Sequence, residues 1–116
     1  MNSDYDILII GGGMVGASLA CALGSHGLRI GVIEAVPLTA STQPSYDDRT
    51  VALAYGSRRI FEGMGVWGDI ARLGATPIEK IHISDRGRFG FTHLSCTDAG
   101  LEALGYVVEN RVLGAA

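Results

Sequence analysis

The chain has 116 residues, of which 47% are hydrophobic and 18% are charged, and its formal net charge is −3. This length and composition indicate one ordinary globular domain and exclude a disordered chain. The small negative charge gives no support for nucleic-acid binding. No stretch approaches the roughly 18 apolar residues of a membrane-spanning helix. The N-terminus leads directly into the first predicted strand, so we expect no signal peptide.

A glycine-rich turn follows the first predicted element, the apolar strand Ile7–Ile10. Gly11, Gly13 and Gly16 have the spacing of a dinucleotide-binding turn. In that motif the first glycine makes the tight turn, the second lets the backbone approach a pyrophosphate, and the third lets the helix pack closely on the strand. The next residues predict a helix over 14–26, whose first N–H groups would face an anion. Its expected apolar face contains Val15, Leu19, Ala22 and Leu23.

A second predicted strand completes a βαβ unit. Gly27 is a suitable C-cap for the helix, and residues 29–34 are typical of a strand that ends in a carboxylate. Glu34 lies at the distance from Gly16 expected of an acid that accepts hydrogen bonds from a ribose diol, and an acid there disfavours a 2′-phosphate. These features favour dinucleotide binding over a βαβ unit that binds nothing.

The same glycine spacing occurs again at Gly63, Gly65 and Gly68. This second copy follows a segment that predicts a helix rather than a strand, and Gly74 and Pro77 leave no room for a crossover helix after it. The glycine spacing alone therefore does not identify a dinucleotide-binding turn. The strand before the first copy and the helix after it favour that copy as the turn.

Residues 35–50 predict a long polar loop that contains Pro37 and Pro44 and ends in the polar cluster 46–49. No second βαβ crossover follows, so we expect this chain to be the N-terminal part of a larger protein. The later predicted elements are a helix from Ser57, as its N-cap, to Met64, a helix over 67–73, an antiparallel hairpin of strands 78–84 and 89–94, a strand over 106–108, and a helix that Asn110 caps.

The cysteines and histidines give no predicted catalytic or metal site. Cys21 and Cys96 lack a metal-ligand spacing, and Cys21 is most simply a core residue in a reduced, intracellular setting. His82 and His93 alternate within predicted strands without a partner carboxylate or serine, so a surface or packed role is expected. We expect no bound metal, and the catalytic residues stay unassigned.

Four segments of the sequence carry a family resemblance. Residues 6–34 resemble the FAD-binding start of the class A flavoprotein monooxygenases, the aromatic hydroxylases. The string Asp48-Arg49-Thr50-Val51-Ala52-Leu53 and the segments 81–87 and 105–110 are similar to its ubiquinone-biosynthesis branch. The resemblance covers nearly the whole chain, although the proteins of that family are several times longer.

The resemblance implies FAD as the cofactor and NAD(P)H as the co-substrate. The cofactor-binding residues that it implies are Gly11, Gly13, Met14, Val15, Gly16, Glu34, Ala35 and Arg49. The glycines and the first helical N–H groups would hold the pyrophosphate, Glu34 the adenosine ribose, and Arg49 would reach the cofactor from the loop. Asn110 or Arg111 would lie at the start of the helix near the flavin, and the choice between them stays open.

The implied fold is α/β: the N-terminal βαβ of a Rossmann-like FAD-binding domain and the beginning of a substrate-domain sheet, incomplete relative to the family. Residues 1–74 would form the FAD-binding part, 75–109 strands of the substrate domain, and 110–116 a helix returning to the FAD domain. The implied activity is hydroxylation of a polyprenyl phenol in ubiquinone biosynthesis, in the cytoplasm or peripherally on the inner membrane, with association to a membrane or biosynthetic complex. The alternatives are an NAD-dependent oxidoreductase and an inactive folded fragment without nucleotide.

Overall fold

The computed structural model describes residues 3–37 and 44–116. These residues form two compact units. One contains residues 3–37 and 44–49 together with Asn110–Ala116, and the other contains Thr50–Glu109. The Ser/Thr-rich centre of the predicted loop, residues 38–43, lies outside the described residues.

The first unit is built on a βαβ motif. Strand β1 (Ile7–Ile10), helix α1 (Met14–Leu23) and strand β2 (Ile30–Ile33) follow one another, with a turn of 3₁₀ helix at Gly24–His26. The two strands pair in parallel, as a βαβ crossover requires. The short helix α4 (Asn110–Ala115) also belongs to this unit.

Local sequence accounts for the bounds of this motif. Gly27 has φ of 71° and ends the helical segment in the left-handed conformation that glycine adopts without a Cβ penalty. Asp6 directly precedes β1, and Arg29 directly precedes β2. The Arg29 N–H donates to Asp6 Oδ2 at 2.8 Å, and the Arg29 guanidinium pairs with Asp6 at 3.0 Å. The predicted βαβ unit is therefore confirmed.

The second unit contains two small antiparallel sheets. The first has the order β3-β7-β4, from β3 (Thr50–Ala54), β7 (Gly105–Glu109) and β4 (Ala75–Ile78). The second is the hairpin of β5 (Lys80–Ser84) and β6 (Phe91–Ser95). Helices α2 (Tyr55–Gly63) and α3 (Trp67–Gly74) complete the unit.

The core of the second unit lies where α3 covers strand β7. Ile70 and Val108 are each 1% exposed. Tyr106 is also buried, and its ring meets the Trp67 ring edge-on with 4.8 Å between centroids. Arg58 lies over both rings, and its guanidinium donates to the Tyr106 hydroxyl.

Several local predictions were wrong. Cys21 is exposed rather than in the core, and Val15 and Leu19 are exposed on α1. Ser57 lies inside α2, which begins at Tyr55, and is not its N-cap. Strand β3 was not predicted, because its pairing with β7 is a contact between distant parts of the sequence.

The predictions for the hairpin and for the second glycine pattern agree with the structure. Strands β5 and β6 pair antiparallel as expected. The second glycine pattern runs from Gly63, the last residue of α2, to Gly68 in the first turn of α3, so a helix and not a strand precedes it. The predicted domain boundary after residue 74 differs from the observed division at Arg49, since α2 and α3 lie in the same unit as β3–β7.

Candidate nucleotide-binding site

The glycine turn connects the end of β1 to the start of α1. Gly11 has φ of 97°, which side chains other than hydrogen rarely permit, and its N–H donates to the Ile33 carbonyl at 2.8 Å. Gly13 is the N-cap of α1 and offers no side chain to cap it. The first N–H groups of α1, those of Met14, Val15 and Gly16, therefore have no partner within the helix and remain suited to an anion.

Gly16 brings the helix against the turn. A Cβ atom on Gly16 would come far inside 3.0 Å of the Gly11 carbonyl oxygen, and 3.2 Å from Cγ2 of Ile9. Real Cβ atoms essentially never approach other atoms closer than 3.0 Å. The absence of a side chain at this position is thus a steric requirement of the packing between β1 and α1.

The Glu34 carboxylate, which directly follows β2, accepts a hydrogen bond from the glycine turn. The Gly12 N–H donates to Glu34 Oε2 at 2.6 Å, and the Val36 N–H donates to Oε1 at 3.1 Å. These two hydrogen bonds hold the pKa of Glu34 below its ordinary value of 4.5, and the bond from Val36 has the larger effect. Because a carboxylate has about four acceptor sites, two such bonds leave acceptor capacity for the hydroxyls of a ribose.

A cleft of about 380 Å³ lies along the turn. It is lined by Ile9, Ile10, Gly11, Gly13, Met14, Val15, Gly16 and Leu19. Its walls are apolar except for backbone groups of the turn and of the helix start. This pattern, an apolar pocket with a few convergent polar groups, is typical of cofactor sites.

Tyr46 is a site residue that sequence reasoning missed. Its hydroxyl donates to the Gly12 carbonyl at 2.7 Å. A Cβ on Gly114 would collide with the Tyr46 ring, so the ring lies directly against α4. The Tyr46 hydroxyl is protonated at neutral pH and can donate, and desolvation and the nearby Glu34 charge raise its pKa further above the ordinary value of 10.0. The Gly12 peptide is therefore held through its N–H by Glu34 and through its carbonyl by Tyr46.

A polar cluster joins the end of the loop to α4. Arg49 Nε donates to Asp47 Oδ2 at 2.6 Å. The Asn110 N–H donates to the Arg49 carbonyl at 2.8 Å, and the Arg111 N–H donates to the Asp47 carbonyl at 2.9 Å. Desolvation raises the pKa of Asp47, but the hydrogen bonds from Arg49 outweigh it and leave that pKa below its usual value.

This cluster fixes the backbone around Arg49 and leaves some N–H donors of the Arg49 guanidinium available. The Arg49 side chain is 72% exposed, and its guanidinium has five N–H donors. Asn110 Nδ2 lies 3.4 Å from Asp47 Oδ1, while the Arg111 guanidinium pairs with Asp48 at 3.3 Å. The two candidates at the start of α4 are thus both bound to the loop cluster.

The structure brings the predicted turn residues and Glu34 into one site. Ala35 directly follows Glu34, and its N–H contributes weakly to lowering the Glu34 pKa. The N–H donors at the start of α1 and the room at the glycines fit the pyrophosphate of a dinucleotide such as FAD. The Glu34 carboxylate, with its remaining acceptor sites, fits the ribose.

The comparisons with known proteins decide the family. Residues 4–106 match the family described as FAD binding domain. The chain belongs to this family. Its cofactor is therefore FAD, and neither the NAD-dependent alternative nor the nucleotide-free alternative is favoured.

Curated relatives of this FAD-binding chain include ubiquinone-pathway hydroxylases. Ubiquinone hydroxylase UbiL of Rhodospirillum rubrum is 38% identical over 108 residues, which are 93% of this chain and 25% of the relative. The 3-demethoxyubiquinol 3-hydroxylase of Escherichia coli is 34% identical over 117 residues, with 97% and 29% covered. The chain thus spans about a quarter of the length of these relatives.

Solved structures confirm the fold. PqsL of Pseudomonas aeruginosa, in complex with 2-aminobenzoylacetate, aligns with a TM-score of 0.68 at 23% identity, covering 96% of this chain and 29% of that one. The p-nitrophenol 4-monooxygenase PnpA of Pseudomonas putida aligns with a TM-score of 0.67 at 21% identity, covering 97% and 28%. The predicted α/β class with a Rossmann-like start is confirmed. Among the described residues, no helix is long and apolar enough to cross a bilayer.

Proposed function

We propose that the chain is the FAD-binding part of a flavin monooxygenase that hydroxylates a polyprenyl phenol in ubiquinone biosynthesis. This proposal rests on the glycine turn with its hydrogen bond from Gly12 to Glu34, found in a chain that is 38% identical to a ubiquinone hydroxylase over 108 residues. Segments 81–87 and 105–110 resemble 2-octaprenyl-6-methoxyphenol hydroxylase more than its sister ring hydroxylases, which supports that enzyme as the parent.

In this proposal the backbone holds the pyrophosphate. The N–H groups of Met14 and Val15 point out of the first turn of α1, whose dipole favours negative charge. Gly13 has no side chain that could obstruct their approach to a phosphate oxygen. Arg49 adds a charged donor set from the loop, and its ion pair with Asp47 limits the conformations of the guanidinium.

Glu34 would bind the adenosine ribose, with Ala35 beside it. Its carboxylate is ionised at neutral pH, since its pKa is lowered, so both oxygens accept hydrogen bonds. The existing bonds to Gly12 and Val36 orient the carboxylate before the cofactor arrives. Its negative charge would repel a 2′-phosphate, which matches a cofactor that has none on this ribose.

In this proposal, residues outside the part of the relatives that this chain covers hold the reacting end of the cofactor. When bound, FAD accepts electrons from NAD(P)H and activates O₂ for transfer to an electron-rich phenol. We propose that this chain alone does not hydroxylate, that strands 75–109 contribute to the substrate domain, and that Asn110 or Arg111 approaches the flavin side. Comparing NAD(P)H-dependent hydroxylation by the chain and by its full-length parent tests this, and turnover by the chain alone contradicts it.

FAD binding by the chain itself tests the assigned site. We expect quenching of flavin fluorescence on titration, and weaker binding of NAD⁺. Glu34→Ala should weaken FAD binding by about tenfold or more, because a charge-assisted hydrogen bond contributes about 1.5–3 kcal/mol. Glu79→Ala, an exposed carboxylate in the second unit, is the matched control and should leave the affinity unchanged. Equal loss in both variants, or tighter binding of NAD⁺ than of FAD, would contradict the assignment.

We propose that the protein is cytoplasmic, and its lipid-soluble substrate favours peripheral association with the inner membrane or with a biosynthetic complex. The tip of the β5–β6 hairpin supports the membrane contact, since Phe89 is fully exposed beside Arg88. Aromatic and arginine side chains suit the interface of an anionic bilayer. Phe89→Ser should reduce co-sedimentation with anionic vesicles, and unchanged sedimentation would count against this contact.

A further inference from the structure

Two of the chain's three histidines face each other on the β5–β6 hairpin. The antiparallel register places His82 directly opposite His93. Nδ1 of His82 lies 2.7 Å from Nε2 of His93, and the ring centroids are 4.8 Å apart. Both residues are exposed, so a ligand can reach the two nitrogens from solvent.

A neighbouring ring supports this pair of imidazoles. Phe91 stacks on His82 with 5.4 Å between centroids and lies 5.0 Å from the His93 ring. Both imidazoles also line a cleft of about 540 Å³, together with Lys80, Ser95 and other residues of the hairpin. The pair is therefore positioned by packing, and it borders a space that could hold a small ligand and its water.

A single N–H···N hydrogen bond accounts for the short distance, and the same two nitrogens become available as ligands when a metal ion replaces that proton. With metal–nitrogen bonds of about 2.0–2.1 Å, two ligands at right angles lie about 2.9 Å apart, and two tetrahedral ligands about 3.3 Å apart. The observed 2.7 Å belongs to the hydrogen-bonded pair, so a right-angled metal site requires less separation of the two nitrogens than a tetrahedral one. Tetragonal sites with nitrogen and oxygen ligands are typical of Cu²⁺ and Ni²⁺.

We propose that His82 and His93 form a two-imidazole site for a dication of the Ni²⁺ or Cu²⁺ class, with water in the remaining positions. The site is separate from the FAD-binding residues and does not rest on the proposed function. Among the described residues, no group of three or more His, Cys, Asp or Glu side chains is placed to hold a metal, so the affinity comes from two protein ligands. Lys80 lies two residues from His82 on the same strand face, and its positive charge opposes the dication.

Titration of the untagged chain with NiCl₂, followed by calorimetry, tests the proposal. We expect one Ni²⁺ per chain. His82→Gln and His93→Gln should each weaken binding by more than the roughly tenfold loss that follows from removing an outer hydrogen-bond partner of a ligand. His26→Gln changes the remaining histidine, which lies in the first unit, and should leave binding unchanged. Lys80→Gln should tighten binding, since it removes the opposing charge.

A second measurement keeps the test independent of variant folding. Paramagnetic Ni²⁺ should broaden the ring proton resonances of His82 and His93 in the unaltered chain before it affects those of His26. Equal broadening of all three rings, or Ni²⁺ binding that survives both His→Gln changes, would overturn the site. Tighter binding of Zn²⁺ than of Ni²⁺ would overturn the tetragonal geometry from which the metal class is inferred.

Discussion

Gly16→Ala is the most direct test of the helix–strand packing beneath the cofactor turn. The added methyl group would overlap the Gly11 carbonyl oxygen and press on Ile9, so α1 must retreat from β1. Overpacking against groups that cannot move away costs about 1–3 kcal/mol, and a retreat of about 1 Å against backbone places this case at the upper end. Alanine recovers up to about 1 kcal/mol of helix propensity. We therefore expect a net loss of about 2 kcal/mol in the free energy of unfolding.

The second glycine pattern supplies a matched control. Gly68 has the same position in that pattern as Gly16 has in the first, and it also lies near the start of a helix. No atom lies within 4 Å of a Cβ built on Gly68. Gly68→Ala should thus raise the free energy of unfolding by up to about 1 kcal/mol through helix propensity alone.

Urea unfolding followed by circular dichroism measures both variants, with hydrogen exchange in β1 and α1 as the local reading. FAD titration should show weaker binding by Gly16→Ala and unchanged binding by Gly68→Ala. Equal effects of the two substitutions on stability, or normal FAD affinity in Gly16→Ala, would refute the steric reasoning.

Three further substitutions test individual side chains. Tyr46→Phe removes the hydroxyl bond to Gly12 and should cost about 0.5–1.5 kcal/mol of unfolding free energy; an unchanged urea midpoint would count against that bond. Glu34→Gln should be less stable than the parent sequence around neutral pH. Because the folded carboxylate has a lowered pKa, this difference should shrink as the pH falls from 4.5 through the folded pKa, and a difference that grows with acid would contradict the assignment. Arg58→Ala removes contacts with two rings and two carboxylates and should cost about 1–2 kcal/mol in urea unfolding, whereas a loss below that range would show these contacts to be weak.

Sequence reasoning succeeded where the structure depends on neighbouring residues. The tight turn at Gly11, the helix end at Gly27 and the parallel pairing of β1 with β2 all follow from local conformational rules. The place of Glu34 follows as well, since the length of a βαβ unit is nearly constant.

The contacts that were missed join residues far apart in the sequence. Tyr46 and Gly12 are 34 positions apart, and Arg58 and Glu102 are 44 positions apart. No periodicity or motif marks such pairs before the chain is folded. Cys21 was misplaced for a related reason, because its helix position is apolar in pattern while the tertiary structure leaves it exposed.

Glu34 has an observed contact with the turn and a proposed contact with the cofactor, and their effects can be separated. It orients the Gly12 peptide through the N–H, and in our proposal it also binds the ribose, so its substitution would weaken FAD binding by two routes. Tyr46 fixes the same peptide through the carbonyl and has no proposed contact with the cofactor. If a rigid turn accounts for most of the affinity, Tyr46→Phe should weaken FAD binding nearly as much as Glu34→Gln, because preorganisation reduces the cost of ordering the donors. If the ribose contact dominates, only Glu34→Gln should do so, and the ratio of the two dissociation constants distinguishes the two cases.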